Sequence, residues 1–163
     1  MNSTFLLLGG NLGHPKQNFV LATQFISEKI GSIKNRSSLF KSKAWGFEAE
    51  TDFLNQVLQV ETKLTAIELL QETQKTEQQI GRKSKTIKEN YQSRELDIDI
   101  LFYNNEIINT PNLVIPHPRL HLRNFTLAPL QEIAPHFIHP QFKKTIHWLS
   151  KHSKDDSIVE ILA

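Results

Sequence analysis

Leu96-Asp97-Ile98-Asp99-Ile100-Leu101-Phe102-Tyr103 alternates apolar and acidic residues over its first half, the period-two signature of a β-strand with unlike faces. Ile98, Ile100 and Phe102 are expected on one face, and Asp97, Asp99 and Leu101 on the other. The first face asks for a covering layer of apolar residues. The second presents two carboxylates side by side.

Working back along the chain, Thr65–Gly81 carries a helical pattern. Thr65 is placed to cap it, Glu68 follows three residues on, and Ile67, Leu70 and Ile80 are expected on its packed side. Phe53–Thr62 is apolar on both faces and suits a central strand. Near the start, Phe5-Leu6-Leu7-Leu8 runs into Gly9-Gly10-Asn11-Leu12-Gly13, a strand entering a tight turn, with Pro15 suited to the first turn of a helix. Phe19, Ala22, Ile26 and Ile30 then recur at helical spacing, with Gly31 placed to end that helix. Ile33–Ser42 lacks a helical period and reads as a further strand.

Two segments have no regular pattern: an aromatic loop at Trp45-Gly46-Phe47, and a basic stretch from Arg82 to Arg94 with Lys83, Lys85 and Lys88. Beyond the acidic strand come a turn at Asn104-Asn105, short strands near residues 106–109 and 113–115, an extended Pro116-His117-Pro118, and helices near 125–133 and 146–150. The order strand, helix, strand, strand, helix, strand predicts an α+β, ferredoxin-like βαββαβ fold. Its antiparallel sheet has helices packed on one face, additional C-terminal helices follow, and the other face is left for a site. A length of 163 residues suits one domain, 1–163.

Composition removes several classes of function. A net charge of +2 is too small to predict nucleic-acid binding. The absence of cysteine excludes disulfides, thiolate metal sites and cysteine nucleophiles. The seven histidines show no paired spacing of the kind a zinc site uses. Apolar runs are too short for a signal peptide or a membrane span, so a cytoplasmic protein without a membrane partner is expected.

Asp97 and Asp99 project from one strand face with their bases roughly 6 to 7 Å apart. At that distance two negative charges repel by roughly 2 to 3 kcal/mol at an effective dielectric of 20, so partial burial calls for a cation. Oxygen ligands favour Mg²⁺, which keeps waters and takes phosphate oxygens as further ligands. Spacing alone equally fits a strand that shows a polar face to water. The neighbours argue for phosphate chemistry: Arg82 and Arg94 lie before the pair, and His117, Arg119 and Arg123 after it. Cations closing over a metal are what phosphoryl transfer requires.

The motifs Leu8-Gly9-Gly10-Asn11-Leu12-Gly13, Asp52-Phe53-Leu54-Asn55-Gln56, Glu77 with Gly81-Arg82, Arg94 to Leu101, and Ile115 to Leu120 with Arg123-Asn124-Phe125 together resemble the 6-hydroxymethyl-7,8-dihydropterin pyrophosphokinase family over nearly the whole chain. The resemblance implies a monomeric enzyme of folate biosynthesis that moves pyrophosphate from ATP to a pterin alcohol, with two Mg²⁺ ions on Asp97 and Asp99. Arg82 and Arg94 would join the carboxylates as catalytic residues. Gln74, Glu77, Arg82, Arg94, His117 and Arg123 match the ATP side. Ser42, Ala44, Trp45, Gly46, Phe53, Asn55, Tyr91 and Phe125 match the pterin side. The chain departs from the family pattern in its proline-free Lys43-Ala44-Trp45-Gly46, in Gln92-Ser93 before Arg94, and at Ser84, where a second arginine is common. From the residues alone, a ferredoxin-like module that binds nucleotide or protein without catalysis, and a metal-dependent phosphodiesterase using the same carboxylates, are the other readings.

Overall fold

The computed structural model describes residues 1–43, 52–81 and 95–162. Ala44, Trp45, Gly46, Arg82, Tyr91 and Arg94 lie outside the described residues. The chain forms β1 (Asn2–Gly10), α1 (Pro15–Lys29), β2 (Gly31–Arg36), β3 (Phe40–Ser42), β4 (Phe53–Thr62), α2 (Ala66–Gly81), β5 (Asp97–Tyr103), β6 (Ile108–Asn109), β7 (Val114–Ile115), α3 (Asn124–Ile133), α4 (Ile146–Lys151) and β8 (Val159–Ile161). The main sheet runs β5-β1-β4-β3-β8, with β2 also pairing β4, and every pairing is antiparallel. β6 and β7 pair separately.

One face of this sheet buries Leu6, Leu8, Leu58, Val60, Ile98 and Ile100 against Phe19, Ala22 and Ile26 of α1 and Leu69 of α2. Apolar burial at roughly 25 cal/mol per Å² makes this layer a principal source of stability. Thr65 and Glu68 form the expected reciprocal cap on α2: Glu68 N donates to Thr65 Oγ1 at 3.2 Å, and Thr65 N donates to Glu68 Oε1 at 2.9 Å. Ile67, expected on the packed side, is instead 48% exposed. The buried face of α2 runs through Leu69, Thr73 and Thr76, and a residue two places from Leu69 lies roughly 200° around the helix.

The opposite face is open only in part. Phe5, Leu7, Val57, Leu101 and Phe102 pack under Phe125, Leu127 and Leu130 of α3 and Ile146 and Leu149 of α4. Phe102 was expected with Ile98 and Ile100. The β1–β5 register shifts between Phe5 and Leu6, so that Phe5 opposes Phe102 while Leu6 opposes Ile100. The extra residue, Leu101, turns the rest of the strand over, as a bulge does.

Three local readings also change. Gly31 begins β2 rather than simply ending α1: a Cβ there would lie 2.0 Å from the backbone oxygen of Glu61, so the two strands meet as closely as they do because position 31 has no side chain. The expected strand over 33–42 is two, β2 and β3, parted at Ser37, whose Oγ accepts from Val57 N at 2.9 Å. The chain after His117 turns at Pro118-Arg119 into a single 3-10 turn at Leu120–Leu122 and does not stay extended.

Candidate functional site

Strand register assembles the site. Gly9 of β1 opposes Asn55 of β4 on one side and Asp97 of β5 on the other, and Leu7 likewise opposes Val57 and Asp99. Alternation puts Leu7, Gly9, Phe53, Asn55, Asp97 and Asp99 on one sheet face. They line a single pocket that Phe125, the second residue of α3, closes from above. Two roomier hollows of about 310 and 270 Å³ lie along α1, and neither contains a carboxylate of the pair.

Asn55 is buried and anchored, its Nδ2 donating to Ser42 Oγ at 3.0 Å. Ser42 ends β3, so the bond ties the pocket floor to the end of that strand. Phe53 and Phe125 are 5% and 4% exposed, yet both line the pocket. Burial on this scale holds both rings in place at the pocket wall.

On the other side, Glu77 reaches from α2 to accept a hydrogen bond from Ile98 N at 2.6 Å, between the two aspartates in sequence. Burial, and then the charge of Asp97, push the Glu77 carboxyl up to about 9, with Asp99 adding to the rise. The carboxyl therefore holds a proton at neutral pH. His117 lies 3.9 Å from Asp99, Nε2 to Oδ2. Burial, with Arg123 and Arg119 nearby, lowers His117 to about 4, so the contact is between a neutral imidazole and a carboxylate. Its Nδ1 accepts from Arg119 N at 3.1 Å, which leaves the proton on Nε2, facing Asp99. Arg123 is buried at the start of α3. Gln74 is exposed, one turn before Glu77 on α2.

The fit to a divalent metal rests on these donors. Among the described residues, no three His, Cys, Asp or Glu side chains gather as a closed metal cage. A pair of carboxylates that leaves the remaining ligand positions to water and phosphate oxygens would suit Mg²⁺, which is rarely bound by all-protein cages.

The model of the family described as 7,8-dihydro-6-hydroxymethylpterin-pyrophosphokinase (HPPK) matches residues 5–135. The chain belongs to the HPPK family. It is 40% identical over 146 residues to the 2-amino-4-hydroxy-6-hydroxymethyldihydropteridine pyrophosphokinase of Aquifex aeolicus, covering 90% of this chain and 89% of that one. It is 35% identical to the Haemophilus influenzae enzyme of the same name over 162 residues, 99% of each chain. In fold it is similar to Plasmodium falciparum HPPK-DHPS, with a TM-score of 0.70 at 18% identity; the match covers 93% of this chain and 43% of that longer one. Among the described residues of this HPPK family member, no helix is long and apolar enough to cross a membrane.

The pocket brings together Asp97, Asp99, Phe53, Asn55 and Phe125, with Ser42 behind Asn55 and His117 beside Asp99. Sequence reasoning missed Leu7 and Gly9. The signal was available in principle, since both alternate with the apolar Leu6 and Leu8, but which face of β1 looks at the carboxylates depends on register.

Proposed function

We propose that this protein transfers pyrophosphate from ATP to the hydroxymethyl group of 6-hydroxymethyl-7,8-dihydropterin in folate biosynthesis, giving the pterin pyrophosphate and AMP. The observation that carries this reading is the convergence of the carboxylate pair and the two-phenylalanine slot in one pocket. In the reaction the pterin oxygen bonds to the β-phosphorus, the bond from that phosphorus to the α–β bridging oxygen breaks, AMP leaves with the electron pair, and the hydroxyl proton is released.

Phe53 and Phe125 would hold the pterin by stacking. Asn55 would read its edge, with its donor group fixed by Ser42 and its oxygen turned toward Gly9. Ala44, Trp45, Gly46 and Tyr91 are assigned to the same substrate. Asp97 and Asp99 would hold two Mg²⁺ ions, which when bound supply charge neutralisation for the phosphates and acidify the hydroxyl. His117, with its Nε2–H oriented as a donor, Arg123, Arg82 and Arg94 would bind phosphate oxygens. Glu77 and Gln74 would sit on the nucleotide side. The strand order β5-β1-β4-β2 is read as the ferredoxin-like plan, in one domain spanning 1–163, acting as a cytoplasmic monomer.

The test is product analysis. AMP should form only when both ATP and the hydroxymethyl pterin are supplied, and ADP as the product would refute the reading. Asp97→Asn and Asp99→Asn should each lower kcat by roughly three orders of magnitude, as expected for the loss of several kcal/mol of charge stabilisation. Unimpaired turnover in either variant would remove the metal assignment.

A further inference from the structure

The segment Ser153–Leu162 lies past residue 135, where the family match ends, yet it ties together two elements on opposite sides of the pocket. At α3 the preceding residue, Arg123, provides no side-chain cap. Asp155 does so from 31 positions away: its Oδ2 accepts from Asn124 N at 2.8 Å. The Asn124 side chain answers by donating from Nδ2 to the backbone oxygens of Asp155 at 2.7 Å and Ser157 at 3.2 Å. Asp155 is itself locked, with Oδ1 accepting from Ser157 N at 3.0 Å and Ser157 Oγ at 2.7 Å. These bonds, offsetting burial, hold its carboxyl below the ordinary range. A few residues on, β8 pairs with β3, Val159 against Ser42 and Ile161 against Phe40, and Leu162 N donates to Leu39 O at 2.8 Å.

We infer that Asp155 is a positioning residue for the pterin slot, acting through this clamp. The inference rests on the function proposed above. Phe125 directly follows Asn124, and Ser42 holds Asn55, so one short segment fixes the spacing between the aromatic roof and the hydrogen-bonding floor. Asp155 does not line the pocket. A carboxylate on a helix-start N–H is a charge-assisted bond that also complements the helix dipole, and such a bond holds Asn124 more tightly than water would.

The experiment measures pterin binding to the full chain in the presence of a non-hydrolysable ATP analogue and Mg²⁺, beside steady-state kinetics. Asp155→Ala should weaken pterin binding about tenfold, the upper range for loss of a cap, raise KM for the pterin in parallel, and leave kcat at saturating pterin within about twofold. Asp155→Asn, which keeps an oxygen that accepts from Asn124 N, should fall between wild type and Asp155→Ala, and it carries the test if the alanine variant does not fold. Binding of the ATP analogue should suffer less, because among the described residues Arg123 alone of its assigned partners adjoins the clamp. Unchanged pterin affinity in a folded variant, or equal losses for both ligands, would overturn the inference. Failure of the wild-type chain to make AMP would instead overturn the function on which it rests.

Discussion

Gly9 decides how the two halves of the site meet. It stands between Asn55 and Asp97 in the sheet, and a Cβ built there would rest 3.4 Å from Asn55 Oδ1, an ordinary van der Waals contact. Alanine is therefore tolerated, but a branched side chain would fill the space between the carboxylates and the slot. Gly9→Val should cost stability only within the usual range of about 0.5 to 3 kcal/mol, while pterin affinity falls by more than tenfold. Binding of an ATP analogue should change far less. Isothermal titration with each ligand checks this, and a variant that still binds pterin normally would show the slot to lie elsewhere. The acidic pair was legible in the sequence because alternation alone puts Asp97 and Asp99 on one face. Gly9 was not, since an absent side chain gains meaning only from what faces it across two strands. His117 was legible as a residue but not as a neutral one; that depends on the burial and cations the fold places around it.

Elements with a strong internal period were read well: β4 occupies Phe53–Thr62 as expected, and α2 begins at its predicted cap. What escaped was whatever depends on a partner strand. The bulge at Leu101, the break at Ser37 and the pairing of β8 with β3 are settled by hydrogen bonds across the sheet, and no local pattern announces them. The α2 cap offers a prediction that separates stability from chemistry. Thr65→Ala removes the acceptor for Glu68 N and should destabilise the protein by about 1 kcal/mol, seen as a lower urea midpoint with an unchanged slope. Glu77 lies near the other end of α2, where its bond to Ile98 N ties it to β5, so kcat should stay within about twofold. A large loss of kcat would mean that the helix shifts as a unit.

Across the whole molecule, the sheet is covered on both sides by unlike layers, and the less regular one holds a pH-sensitive group. Between β1, β5 and the chain after α3, Phe5 meets Phe102 and Phe137 edge to face while Phe102 and Phe137 are tilted to each other, with ring centroids 4.7 to 6.1 Å apart. His139 packs its ring against Phe102 at 5.5 Å and against Phe142 at 4.2 Å. It is 1% exposed, and its Nδ1 accepts from both Gln141 N and Phe142 N at 3.1 Å. Protonating Nδ1 would abolish both bonds. Burial, with His121 nearby, lowers His139 to about 4 from an ordinary 6.5. The folded state thus binds a proton less readily than the unfolded chain. The stabilisation is fully present above about pH 6.5 and is lost as pH falls from there toward 4, with a slope of up to about 1.4 kcal/mol per pH unit and a total of up to about 3 kcal/mol. Urea unfolding of the wild type and of His139→Gln at several values between pH 4 and 8 isolates this contribution from that of other histidines. The variant, less stable at neutral pH, should lose less on acidification, so that the two curves converge toward pH 4. Parallel curves would show that His139 does not titrate between the folded and unfolded states.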